Sequence, residues 1–126
     1  MDRSLLAALA AVTADAKHFK ARAEVRDGAE KSLVVSLAGS LDSESTNLVS
    51  GQLMETIGGW DEGPYIVFDL VALEYISSTG VGLLTTALVA ARRHGIALSI
   101  ENPQPTVMSV LDLLQIGKFI PIRTRG

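Results

Sequence analysis

The stretch Tyr75-Ile-Ser-Ser-Thr-Gly-Val-Gly-Leu-Leu84 lies between an apolar run and an amphipathic run, and the rest of the chain is organised around it. The run before it, Tyr65-Ile-Val-Phe-Asp-Leu70, is typical of a central strand that is covered on both faces. The run after it has apolar residues at helical spacing, namely Val81, Leu84, Leu88 and Ala91. Ser77, Ser78 and Thr79 therefore lie where a buried strand gives way to a helix.

These three hydroxyl residues permit two interpretations. Ser and Thr are good N-caps, because a side-chain oxygen accepts a hydrogen bond from the free amides of the first helical turn. The same turn favours an anion, so a hydroxyl that becomes a phosphate there is compatible with the fold. Gly80 and Gly82 keep the neighbouring backbone open to close approach. A plain N-cap is the commoner meaning of such residues, and local sequence leaves a regulatory role open.

Composition indicates one globular domain. The chain has 126 residues, of which 48% are hydrophobic and 20% charged, and this balance excludes a disordered chain. The net charge of −3, without a basic stripe, argues against a nucleic-acid partner. Cysteine is absent, which excludes disulfides and thiolate metal sites and is compatible with the reducing cytosol. No apolar run approaches the ~20 residues that span a bilayer, so membrane insertion is not expected.

The first half of the chain predicts a helix, a hairpin and a second helix. Residues 4–16 are rich in Ala and Leu, which favours a helix. Residues 19–26 alternate apolar and charged side chains, and Asp27-Gly28 is a turn signal into a strand over residues 32–38, which Gly39 and Ser40 end. Asp42 or Ser43 then caps a helix with an apolar face formed by Val49, Leu53, Ile57 and Trp60.

The second half continues the alternation of strands and helices. A strand is predicted over residues 96–100, and Pro105 opens a helix that Gly117 stops. The apolar stripe of that helix is predicted to comprise Val107, Val110, Leu111 and Leu114. Residues 119–122 are predicted to form an edge strand, since Pro121 cannot donate to a ladder. The expected fold is α/β, with a mixed central sheet and helices packed on it.

The N-terminal helix has three possible uses. Leu5 to Val12 is short and apolar like the core of a signal peptide, but Asp2 offsets Arg3, which favours a cytoplasmic helical extension. The helix either packs on its own domain, forms a homodimer or contacts a partner. The sequence leaves these alternatives open.

The residues argue against an enzyme. A serine nucleophile needs a base within about 3 Å, yet His94 follows Ser78 by roughly 24 Å along one predicted helix at about 1.5 Å per residue. A Gly-x-Ser-x-Gly elbow is absent, and Gly80-x-Gly82 lacks the rest of a dinucleotide or P-loop fingerprint. The two histidines do not suggest a metal site. We therefore expect no catalytic residue, metal or cofactor.

Three stretches, in the same order, resemble the STAS domains, which include the anti-sigma factor antagonists of bacteria. Residues 70–84 are similar to the family's switch motif, and Leu37-Ala-Gly-Ser-Leu-Asp42 to the stretch before its first helix. Residues 110–122 resemble its closing helix and strand. The resemblance implies a STAS domain over residues 18–126, preceded by an N-terminal helical extension over residues 1–17.

The resemblance also implies a protein-binding switch. Antagonists of this family bind a GHKL-type serine kinase that acts as an anti-sigma factor, and the kinase releases them by phosphorylating a serine of the motif. That serine corresponds to Ser78. Ser77 stands where the family often has an aspartate and Thr79 where it has a small residue, so either could be modified instead. The expected partner-binding residues are Asp42, Ser43, Ser77, Ser78, Thr79 and Gly80.

Two further STAS roles stay open. One is the small STAS subunit that supports the ATPase of a lipid-transport ABC system, in which the motif is only a docking surface. The other is a module of a stressosome-like scaffold, which assembles with copies of itself. The N-terminal helix favours these roles, because simple antagonists usually lack one.

Overall fold

The computed structural model describes residues 1–124 and contains one mixed sheet with helices packed against it. The strands are β1 Phe19–Arg26, β2 Ser32–Leu41, β3 Tyr65–Ile76, β4 Ala97–Glu101 and β5 Ile122–Arg123. The helices are α1 Arg3–Val12, α2 Ser43–Gly59, α3 Ser78–Arg93 and α4 Pro105–Leu113, and a short 3₁₀ turn spans Ile116–Lys118. This order confirms the α/β architecture expected from the sequence.

The sheet runs in the order β1-β2-β3-β4-β5, with β3 at its centre. β1 pairs with β2 as the antiparallel hairpin that Asp27-Gly28 predicts, and the remaining neighbours are parallel. The register places apolar residues in rows across the sheet, and one such row of buried side chains is Val35, Phe68 and Ile100. Parallel strands with these rows require helices against them, and α2 and α3 contact each other as part of that layer.

The N-terminal helix packs on its own domain. α1 contacts β1 and α2, and Leu9 is fully buried in the core. Lys20 Nζ donates hydrogen bonds to the carbonyls of Thr13 at 3.0 Å, Ala14 at 2.8 Å and Ala16 at 2.7 Å, just beyond the last turn of α1. A cation is favourable there because helical carbonyls leave a partial negative charge at a C-terminus. The apolar side of α1 is therefore used within the chain.

Two strands are longer than the sequence predicts. β2 continues through Gly39 and Ser40, and β3 continues to Ile76. The register between the two strands shifts twice, between Ser36 and Ala38 and between Gly39 and Ser40. These irregularities let the pairing continue beyond Gly39 and Ser40, where the sequence predicts the end of β2. At the first shift Asp69 Oδ1 accepts a hydrogen bond from the amide of Val71 at 3.1 Å. The Asp69 carboxylate thus bonds to an amide two residues further along β3.

Gly39 bends β2 where the sequence predicts its end. Its φ is +88°, a conformation that favours glycine, and a Cβ there would lie 2.1 Å from the carbonyl oxygen of His18. The amide of Ser40 donates to the same oxygen at 2.8 Å. Glycine is required here for close approach of two backbones rather than to stop the strand.

The C-terminal part differs from prediction in three ways. α4 ends at Leu113 rather than at Gly117, because Gln115 adopts a left-handed conformation (φ 57°) and the chain then makes the 3₁₀ turn. Leu114 is 42% exposed and does not join the buried stripe of Val107 and Leu111. The last strand starts at Ile122, after Pro121, although its position at the sheet edge is as expected.

None of the helices within residues 1–124 combines the length and apolar character that crossing a bilayer requires.

Candidate functional site

The first turns of α2 and α3 lie side by side at one end of the sheet. Each helix starts directly after a parallel strand, α2 after β2 and α3 after β3. Leu41 pairs with Ile76 in the last register position, and the amide of Ser77 donates to the carbonyl of Leu41 at 2.9 Å. Ligands of such sheets usually bind at the loops beyond the carboxyl ends of parallel strands. The candidate site is therefore the end of the sheet where β2 and β3 lead into α2 and α3.

Asp42 caps α2. Its Oδ1 accepts from the amide of Ser45 at 3.0 Å, and Ser45 Oγ accepts from the amide of Asp42 at 2.9 Å. This reciprocal pair is a capping box, with Ser45 in the place usually taken by Glu or Gln. The hydrogen bond from the Ser45 amide holds the pKa of the Asp42 carboxyl below its usual value. The site therefore carries a fixed negative charge at neutral pH.

Ser77 caps α3. Its Oγ accepts from the amide of Gly80 at 3.1 Å and donates to the carbonyl of Leu41 at 3.4 Å. The side chain is half-buried, and both of these hydrogen bonds are within the domain. Ser is a strong N-cap, so Ser77 fixes the first turn of α3 without a carboxylate.

Ser78 is the first residue of α3 and its side chain is exposed. Among residues 1–124 its hydroxyl has no hydrogen-bond partner. The neighbouring Thr79 accepts a hydrogen bond from Ser43 Oγ at 3.2 Å, which links the two helices. Of the three hydroxyls of Ser77, Ser78 and Thr79, only that of Ser78 therefore makes no hydrogen bond within residues 1–124.

Gly80 does not belong to the exposed surface, contrary to expectation. It is buried, and a Cβ there would lie 2.6 Å from the carbonyl oxygen of Leu41 and 2.9 Å from Ile76 Cγ1. The missing side chain lets α3 approach the end of β2 rather than letting a partner approach the loop. Gly82 behaves differently, because nothing lies within 4 Å of a Cβ built on it.

Both caps are among the residues that the sequence offers, Asp42 or Ser43 for α2 and the three hydroxyls for α3, but two contacts were missed. The role of Ser45 could have been found from the spacing Asp42-x-x-Ser45, which is a weak form of the capping-box pattern. The Ser43–Thr79 hydrogen bond joins residues 36 positions apart, and no local pattern indicates it. His94 lies at the C-terminal cap of α3, the opposite end from Ser78. Within the described part of the chain, no three metal-ligating side chains form a group that could hold an ion.

Comparison with known proteins agrees with this geometry. The family model of the STAS domain matches residues 20–125. This chain belongs to the STAS domain family. The family expected from the three stretches, residues 37–42, 70–84 and 110–122, is confirmed, and the matched part starts within β1.

The chain is similar in sequence to one curated relative and in fold to two solved structures. The chain is 28% identical over 90 residues to the anti-sigma F factor antagonist of Paenibacillus polymyxa, covering 71% of this chain and 76% of that protein. It shares its fold with the anti-sigma factor antagonist SpoIIAA in unphosphorylated form (TM-score 0.66, 19% identity, 82% of this chain and 88% of that one). The phosphorylated form of the Bacillus cell fate determinant SpoIIAA is also similar (TM-score 0.60, 18% identity, coverage 82% and 91%).

Proposed function

We propose that this STAS domain is an anti-sigma factor antagonist, a switch that binds a GHKL-type serine kinase acting as anti-sigma factor and is released by phosphorylation of Ser78. The observation that carries the proposal is the hydroxyl of Ser78 at the start of α3, which is exposed and has no hydrogen-bond partner within residues 1–124. The 28% identity to a curated anti-sigma F factor antagonist supports the class of partner. On this proposal the protein acts in the bacterial cytoplasm, binds rather than catalyses and needs no cofactor.

We propose that the residues around Ser78 have two roles: some contact the partner, and others hold those residues in position. The proposed contact surface lies at the N-termini of α2 and α3 and comprises Ser78 with its neighbours Asp42, Ser43 and Thr79. Ser77 is half-buried and fixes the first turn of α3. Of the six partner-binding residues expected from the sequence, we therefore propose that Asp42, Ser43, Ser78 and Thr79 contact the partner, and that Ser77 and the buried Gly80 support them from below.

A phosphate on Ser78 changes binding through charge. Phosphorylation adds about −1.5 to −2 charges. The N-terminus of α3 can accommodate the phosphate, because the free amides of a first helical turn and the helix macrodipole favour negative charge. A partner surface that packs against a neutral hydroxyl beside the ionised Asp42 must instead desolvate or repel the phosphate. Losing about 2.8 kcal/mol in this way weakens affinity roughly a hundredfold.

Binding of defined variants to the kinase tests the proposal. The GHKL-type kinase recovered by pull-down from the native cell is titrated with the full chain in a calorimeter. We expect Ser78→Ala to bind like wild type and Ser78→Asp to lose at least about a hundredfold in affinity. Ser4→Asp is the matched control, because it adds the same charge to the first turn of α1, and it should bind normally. Circular dichroism verifies that all three variants keep the wild-type fold.

Two results would overturn the proposal. One is full kinase binding by Ser78→Asp or by the chain phosphorylated at Ser78. The other is a pull-down that recovers an ABC transporter ATPase or copies of this chain in place of a kinase. α1, the feature that favoured those two alternatives, buries its apolar side against β1 and α2.

A further inference from the structure

A groove of about 670 Å³ lies beside the proposed contact surface around Ser78, between α2 and the segment that connects α1 to β1. Val12, Phe19 and Leu48 line it with apolar side chains. Leu48, in the second turn of α2, is 41% exposed. An exposed leucine within an apolar concavity is a feature of surfaces that bind another chain.

The rim of this groove is mainly acidic. Asp15, Asp42 and Glu44 contribute carboxylates, and Lys17 and His18 are the basic residues that line it. Asp42 belongs to both the groove and the proposed contact surface, so the two are continuous. An apolar centre with carboxylates around it is complementary to an apolar side chain flanked by Lys or Arg.

The outer wall of the groove is held in place by the domain. Lys20 Nζ binds three carbonyls of the connecting segment, those of Thr13, Ala14 and Ala16. The His18 carbonyl accepts from the amide of Ser40 at 2.8 Å, in the position where Gly39 leaves room for it. A wall that is already ordered costs little entropy when a ligand binds.

We propose that this groove binds a basic segment of the protein partner, with one apolar side chain against Leu48 and flanking Lys or Arg residues paired with Asp15, Asp42 and Glu44. The inference rests on the proposed function for the identity of the partner, and it extends the contact surface beyond the helix mouths. Residues 12–18 precede the matched STAS region at 20–125. The N-terminal extension is thus a recognition element and adds a contact that the matched domain alone does not supply.

Selection from a phage library of random short peptides tests the groove without the kinase. The full wild-type chain is the bait, and the double variant Asp15→Lys/Leu48→Asp is used for counter-selection. Asp112→Lys/Leu113→Asp is the matched control, because it makes the same two changes at exposed positions of α4. Both pairs replace exposed or partly exposed side chains, so unfolding is not expected, and circular dichroism checks this.

We expect the enriched peptides to carry an apolar residue flanked by Lys or Arg. The groove variant should weaken each of them by at least about tenfold, and the control variant should leave affinity unchanged. Absence of groove-dependent peptides, enrichment of acidic peptides, or binding that only the α4 variant removes would each overturn the inference. Because no phosphate or kinase is present, this outcome is separate from the test of Ser78. Failure of Ser78→Asp to release the kinase would remove the proposed function and leave the groove result standing.

Discussion

The N-termini of α2 and α3 are built alike, yet they differ in one hydroxyl. Each has a polar cap followed by a serine at the first helical position, Asp42-Ser43 for α2 and Ser77-Ser78 for α3. Ser43 donates to Thr79 at 3.2 Å, whereas Ser78 is exposed and makes no hydrogen bond within residues 1–124. The comparison separates residues that join the two helix N-termini from Ser78, the residue that we propose another protein reads.

The largest effect on this arrangement is expected at Gly80. In Gly80→Ala the new methyl would meet the Leu41 carbonyl at 2.6 Å, and a backbone oxygen cannot move aside as a flexible side chain can. We expect a loss of about 1–3 kcal/mol in the free energy of unfolding, the usual cost of overpacking, together with displacement of the first turn of α3. Urea unfolding measures it.

Gly82→Ala is the matched control for this substitution. It lies two residues further along α3 with nothing within 4 Å of the new Cβ. Replacing a helical glycine by alanine should raise stability by about 0.5–1 kcal/mol. Equal effects of the two substitutions would show that Gly80 does not hold α3 against β2.

The next effect distinguishes the two adjacent serines. Ser77→Ala removes the hydrogen bond to the Gly80 amide and should cost about 1 kcal/mol, as loss of an N-cap generally does. Ser78→Ala removes an exposed hydroxyl without a partner in the described chain, and should change stability by less than about 0.5 kcal/mol. Thermal unfolding of the two variants in parallel measures the difference. A larger loss for Ser78→Ala would reverse the assignment of the two roles.

The smallest effect concerns the charge on Asp42. Its pKa is lowered in the folded state by the Ser45 amide, so its contribution to stability is present above the unfolded value of about 4 and is lost as pH falls through the folded value. Asn caps a helix equally well but carries no charge. The stability difference between wild type and Asp42→Asn should therefore be larger near pH 6 than near pH 3. Urea midpoints at both pH values check this, and a difference that grows in acid would contradict it.

The sequence predicts local features of the site better than its non-local contacts. The caps at Asp42 and Ser77 follow from residue type and position, because an N-cap interacts with amides two or three residues away. The length of β3 does not follow in this way, since its last part pairs with β2 across two register shifts, through Ala72, Leu73, Tyr75 and Ile76. The buried position of Gly80 depends on Leu41, which is far away in the chain. These contacts form only when pairing of β2 with β3 brings the β2–α2 and β3–α3 connections together.

Tandem mass spectrometry of the chain after incubation with the kinase and ATP tests the central claim most directly. We predict a single phosphate on Ser78, its absence from Ser78→Ala, and normal modification of Ser43→Ala. Phosphate on Ser43, Ser77 or Thr79 in the wild-type chain, or no phosphate at all, would contradict the claim that the hydroxyl of Ser78 is the one that another protein reads.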